Sequence, residues 1–82
     1  MIDGKELLEF AVEMITVLRE KAEKYEKNNN YEDCTEEFLF EQIEKQIEKF
    51  KMGATFPYKR RRLTHIANFC FLLAYKLLKN YE

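Results

Sequence analysis

The chain has 82 residues, 35% of them charged and 46% hydrophobic, with a formal charge of −1, two glycines and one proline. That length makes one domain over residues 1–82 and leaves no room for a second core, and a single chain of this size buries only ~60% of its unfolded surface. So few turn-formers argue against a many-stranded sheet and for an all-α chain. No apolar run approaches the ~18–20 residues of a membrane span, and the mixed, acidic stretch Met1 to Glu9 is unlike a secretion signal, so the expected setting is the cytoplasm.

The first predicted element runs from Gly4 or Lys5 to about Asn28. Leu8, Ala11, Ile15, Leu18, Ala22 and Tyr25 recur at alternating spacings of three and four, a helical seam that Leu7, Met14 and Val17 widen. Glu6, Glu9, Glu13, Glu20, Glu23 and Glu26 are expected to face water. Asn28, Asn29 and Asn30 then stop the helix, because asparagine competes for its own backbone and tolerates the conformation that ends helices.

Thr35 suits the cap of a second helix over about residues 36–51. Glu36 and Glu37 stand where the free amides and the positive dipole end favour anions. Phe40, Ile43, Ile47 and Phe50 form its expected seam, with Phe38 and Leu39 beside it. Gly53 and Pro57 mark a stop and a restart.

The third predicted helix covers about residues 59–79. It opens on Lys59, Arg60, Arg61 and Arg62 and then turns almost wholly apolar, with His65 and Asn68 set into it. Leu63, Ile66, Cys70, Leu73 and Leu77 make one stripe; Ala67, Phe71, Ala74, Leu78 and Tyr81 make another. A helix apolar on two sides must be covered on both, so the reading is a central helix flanked by the other two and by a partner chain.

Charge is divided along the chain: residues 1–44 carry 13 acids and 5 bases, residues 45–82 carry 9 bases and 2 acids. Halves of opposite sign are expected to pack against each other and set register. Four adjacent bases at a helix start are expected first to pair with acids of the first helix or of a partner chain; because they face the positive end of the dipole, an anion beside them is the second reading. Without interleaved exposed aromatics, and with a balance near zero, they are a weak nucleic-acid signal. Cys34 and Cys70 form no CxxC pair and, with one histidine in the chain, make no zinc site by themselves; both read as reduced thiols, and no metal site is expected.

Two segments resemble a known family. Tyr31, Asp33 and Thr35 leading into the glutamate-rich stretch Phe38 to Phe50, and Leu63 to Leu78 with Ile66, Ala67, Asn68, Phe69 and Leu72, look like the second and third helices of small MazG-like proteins. Those belong to the all-α nucleoside triphosphate pyrophosphohydrolases. The resemblance implies a helical, dimeric or tetrameric protein that cuts nucleoside triphosphates with magnesium, held by an ExxE on the second helix and an ExxD on the third. Residues three apart share a helical face, and four converging carboxylates suit a hard cation that bridges phosphate oxygens.

At those positions this chain departs from the family. Aligning the apolar frame puts Gln46 and Lys49 on the ExxE and Arg62 and His65 on the ExxD, so the anionic pocket becomes neutral to cationic. The expected protein is therefore a degenerate member that binds rather than cuts: an antiparallel three-helix protomer, completed as a bundle by dimerisation into a homodimer or larger homo-oligomer. Its ligand would be a protein partner, or an anion or nucleotide held by Lys49, Arg62, His65 and Asn68 with Lys59, Arg60 and Arg61 nearby. The first alternative is an active magnesium enzyme with relocated ligands Glu41, Glu44 and Glu48. That register turns Ile43 and Ile47 away from the core, at about 1.5–3 kcal/mol per large side chain exposed. The second alternative is a nucleic-acid binder using Lys59 to Arg62.

Overall fold

The computed structural model describes residues 3–25 and 34–80. They form three helices, α1 (Gly4–Tyr25), α2 (Glu36–Met52) and α3 (Phe56–Asn80), and no strand. The Asn28–Asn30 stop, Tyr31, Asp33 and Tyr81 lie outside the described residues.

Each helix starts for a local reason. Asp3 caps α1, its Oδ1 accepting from the backbone N–H of Lys5 at 3.0 Å and of Glu6 at 3.2 Å. Thr35 caps α2 as expected: its backbone is extended and its hydroxyl accepts from the Phe38 N–H at 3.0 Å. The chain leaves α2 at Gly53, whose N–H donates to the Phe50 carbonyl at 3.1 Å. Helix α3 starts at Phe56, earlier than the Tyr58 or Lys59 read from the sequence, and takes Pro57 into its first turn. Proline is at home there, since its missing N–H would have no partner in the helix. The basic quartet consequently begins close to one turn inside α3 rather than at its start.

Helix α3 is the element on which both others pack. It runs antiparallel to α2: Lys59 reaches the ring of Phe50, Arg62 reaches Gln46, and the Asn80 amide donates to Glu36 at 3.4 Å. Helix α1 meets α3 over a shorter stretch, through Arg60 to Glu13, Arg61 to Glu20 and the Asn68 amide to the Met14 carbonyl at 3.1 Å. The acidic first half of the chain thus meets the basic second half side chain to side chain.

The faces used coincide only in part with the apolar seams. On α1 the packed side is Phe10, Glu13, Met14, Val17, Leu18 and Lys21, with Val17 fully buried, while Leu8 is 65% and Ile15 50% exposed. On α2 the seam is Leu39, Ile43, Gln46 and Phe50, whereas Phe40 and Ile47 are exposed. On α3 the buried residues are Thr64, His65 and Asn68, and Leu63, Cys70, Phe71, Ala74, Leu77 and Leu78 are exposed. Neither apolar stripe read from the sequence is the one that α1 and α2 cover; they pack on a third, polar face. The reason is charge: Arg60, Arg61, Thr64 and Asn68 find their acceptors on α1, and Arg62 finds its own on α2. The fully buried hydrophobic core among the described residues is correspondingly small, Val17, Leu39 and Ile43.

Candidate functional site

The polar face of α3 closes a crevice of about 340 Å³ between the three helices. That lies at the small end of the roughly 300–1,000 Å³ typical of small-molecule sites. Leu18 and Lys21 enter it from α1, Phe38, Gln42, Gln46 and Lys49 from α2, and Arg62, His65, Asn68, Phe69 and Leu72 from α3, with Cys34 at the approach to α2. Helical spacing explains the grouping: Gln42, Gln46 and Lys49 follow at four and three on one side of α2, as do Arg62, His65, Phe69 and Leu72 on α3.

Arg62 is the most constrained of these groups. Its Nη1 donates to Gln46 Oε1 at 3.2 Å, and its guanidinium lies 4.8 Å from the centre of the Tyr58 ring. Its Nε is buried without a hydrogen-bond partner among the described residues. A buried donor left unmade costs about 1–3 kcal/mol, so Arg62 is held here at some cost. His65 is 7% exposed, and burial together with the charges of Arg62, Lys21, Arg61 and Lys49 pushes its pKa down to about 4. The imidazole is therefore neutral near pH 7. Asn68 spends one amide hydrogen on the Met14 carbonyl, which pins α3 to α1 beside the crevice.

Among the described residues, three cations line the crevice and no carboxylate does. Nor do His, Cys, Asp or Glu side chains gather there, or elsewhere among the described residues, in a group of three that could hold a metal ion. A hard divalent cation seeks six or more oxygen ligands; here it would meet amides, a thiol and positive charge.

Of the residues picked out from the sequence, Lys49, Arg62, His65 and Asn68 come together in this one crevice, and Gln46 stands with them. Lys59, Arg60 and Arg61 do not line it. Lys59 lies 5.1 Å from the Phe50 ring centre. Arg60 donates through Nε and Nη2 to Glu13 Oε2, at 3.2 and 3.0 Å, over the ring of Phe10, and Arg61 donates to Glu20 at 2.9 Å. Glu13 and Glu20, read as water-facing, are thus the partners of the basic quartet. The Arg60 guanidinium holds the Glu13 carboxyl below the usual carboxylate range; partial burial opposes this, and the Thr64 hydroxyl, donating to the other oxygen at 3.0 Å, adds to it.

Glu41, Glu44 and Glu48 lie on the exposed side of α2 and outside the crevice lining; Glu41 pairs with Lys45 at 3.5 Å and Glu48 with Lys51 at 3.6 Å. Lys21, Phe38, Gln42 and Phe69 line the crevice but were not singled out as site residues from the sequence. A signal existed for two of them: Gln42 precedes Gln46 by one helical turn, and Lys21 follows Val17 by one turn on the buried side of α1.

Compared with protein-family models, with curated proteins and with solved structures, the chain shows no match. The functional reading accordingly rests on the residues and their geometry. No described helix is long and apolar enough to cross a membrane.

Proposed function

We propose that this chain is a non-hydrolytic, MazG-like binding protein that holds a phosphate-bearing anion, such as a nucleotide, between its three helices and works as a homodimer. The observation that carries the first part is the convergence of Lys21, Lys49 and Arg62 on a crevice without an acidic lining residue among those described. Arg62 supplies a directional donor and Lys49 a mobile charge. The amides of Gln42 and Gln46 add neutral donors, and Phe38, Phe69, Leu18 and Leu72 offer apolar surface to the body of a ligand.

Hydrolysis by the family's route needs carboxylates around a magnesium ion. The matching positions hold Gln46, Lys49, Arg62 and His65, so the donor set is wrong for that ion. The relocated set Glu41, Glu44 and Glu48 is exposed and partly paired with lysines of its own helix. A nucleic-acid face made of Lys59 to Arg62 would have to break the Arg60 and Arg61 pairs with α1 first.

Exposed area supports the homodimer part of the proposal. The chain exposes 6670 Å², against about 5,200 Å² for a folded monomer of 10.0 kDa. The excess is roughly 1,400 Å² per chain, surface of the order that a stable homodimer buries. It includes the apolar sides of α1 (Leu8, Val12, Ile15) and α3 (Leu63, Phe71, Leu78). A chain with so small a core needs that surface buried, and a second copy offers an identical one.

Equilibrium binding of nucleoside mono- and triphosphates, with and without magnesium, tests the reading. Binding should occur without metal and weaken at least tenfold, about 1.4 kcal/mol, in Arg62→Gln or Lys49→Ala. Magnesium-dependent release of pyrophosphate that disappears in Glu44→Ala would replace this reading with the enzymatic one.

A further inference from the structure

His65 is the imidazole in the crevice wall, and it can take up a proton when an anion enters. Its ring is buried to 7% exposure on α3, next to Arg62 in the preceding turn and Asn68 in the following one, and it lines the same space as Lys21 and Lys49. The groups that act on it come from all three helices: Lys21 from α1, Lys49 from α2, Arg61 and Arg62 from α3. On α1, Glu13 and Glu20 are paired with Arg60 and Arg61. Gln42 and Gln46 are uncharged, and the Cys34 thiol stands at the crevice edge. Among the described residues, the cations of the crevice therefore surround a ring that is neutral when no anion is bound.

Resting on the anion-binding reading above, we propose that the crevice selects a doubly charged oxyanion and takes it up together with one proton, which His65 accepts from solvent. The chemistry balances without a further reactant: imidazole plus a proton gives imidazolium, and the second charge of the ligand neutralises it. A singly charged anion satisfies Arg62 and leaves the lysines to oppose the protonated ring; a doubly charged one offsets both. Phosphate monoesters and sulfate share this chemistry, and neutral or zwitterionic ligands do not.

The sign of the effect follows from linkage. Burial and the four cations hold the empty-state pKa at about 4. An anion within about 4–6 Å raises the pKa of such a group by about 1–3 pH units, so the liganded ring titrates above the empty one. Affinity then gains nothing from His65 above the liganded value, rises as pH falls, by up to about tenfold per pH unit, and levels off once pH passes the empty-state value.

Inorganic sulfate is the suitable probe, because it stays doubly charged throughout this range while phosphate does not. The chain has a single histidine, so its ring signals in a heteronuclear NMR titration are unambiguous. The titration midpoint of His65 should rise by at least one pH unit between zero and saturating sulfate, and a monovalent anion such as perchlorate should move it less than half as far. In His65→Gln the affinity should lose its pH dependence between pH 5 and 7; the wild-type titration decides the matter if that variant does not fold. Sulfate that shifts the Arg62 and Gln46 side-chain signals but leaves the His65 midpoint in place overturns proton uptake and leaves the anion crevice standing. Neither sulfate nor phosphate perturbing any crevice signal overturns both.

Discussion

Gly53 offers a test in which the competing effects have opposite signs. It ends α2 with φ −71° and ψ 140°, a conformation open to any residue, so its backbone does not require glycine. Replacing glycine by alanine at such a site ordinarily stabilises by ~0.4–1 kcal/mol, because the unfolded chain loses freedom. Here a Cβ would stand 2.6 Å from Tyr58 Cδ1, 3.0 Å from Cε1 and 3.2 Å from Lys59 Cγ. The clash is with the flank of an aromatic ring, and that ring carries the Arg62 guanidinium at 4.8 Å. Tyr58 must swing away, at about 1–3 kcal/mol for the overpacking, with up to about 1 kcal/mol more from the lost cation–π contact at a partly exposed site. Gly53→Ala should therefore destabilise by about 1–2 kcal/mol net and lower the melting temperature by roughly 4–15 °C, at about 4–8 °C per kcal/mol for a domain of this size. Anion affinity should fall with it, since Arg62 loses its support. Calorimetry beside the wild type reads the first effect and titration the second. An unchanged or raised melting temperature would show that the approach of Tyr58 to Gly53 does not hold Arg62.

The Glu13 cluster should behave as a pH-sensitive clasp between α1 and α3. Side chains of Arg60 and Glu13 are 44% and 33% exposed, so solvent screens the pair and Glu13→Ala should cost only about 1 kcal/mol at pH 7. Because the folded carboxyl titrates below its ordinary value, its contribution is complete above the unfolded pKa and disappears as pH falls through the folded one; wild type and variant should converge in acid melts. Sedimentation should give twice the 10.0 kDa chain mass, and Leu8→Lys with Leu63→Lys should lower both the dimer fraction and the melting temperature. A wild-type monomer at micromolar concentration would contradict the area argument.

Helix number, the Thr35 cap and the acid–base meeting of the two halves were legible in the residues, because each depends on neighbours within a turn or on net charge. Spacing by itself puts Arg62, His65 and Asn68 on one side of α3; setting Lys49 of α2 opposite them came from the family resemblance, not from spacing. The inward faces of the helices were misjudged. Apolar periodicity on α1 selected Leu8 and Ile15 together with Met14, Val17 and Leu18, of which only the last three are packed, and on α3 it selected two stripes, whereas the face of α3 that packs is that of Thr64, His65 and Asn68. The sequence contains this competition but not its outcome.

What the residues determined alone was local: that there are three helices, that Thr35 starts the second of them, and that opposite charges are divided between the two halves of the chain. Only the tertiary arrangement decided which of several presentable faces is buried within the chain. Arginines on α3 must keep their hydrogen bonds and charge partners wherever the helix packs, and acceptors on α1 and α2 provide them at about 3 Å. Apolar side chains are less particular about what covers them, so their stripes were left facing outward while the polar face closed around the crevice.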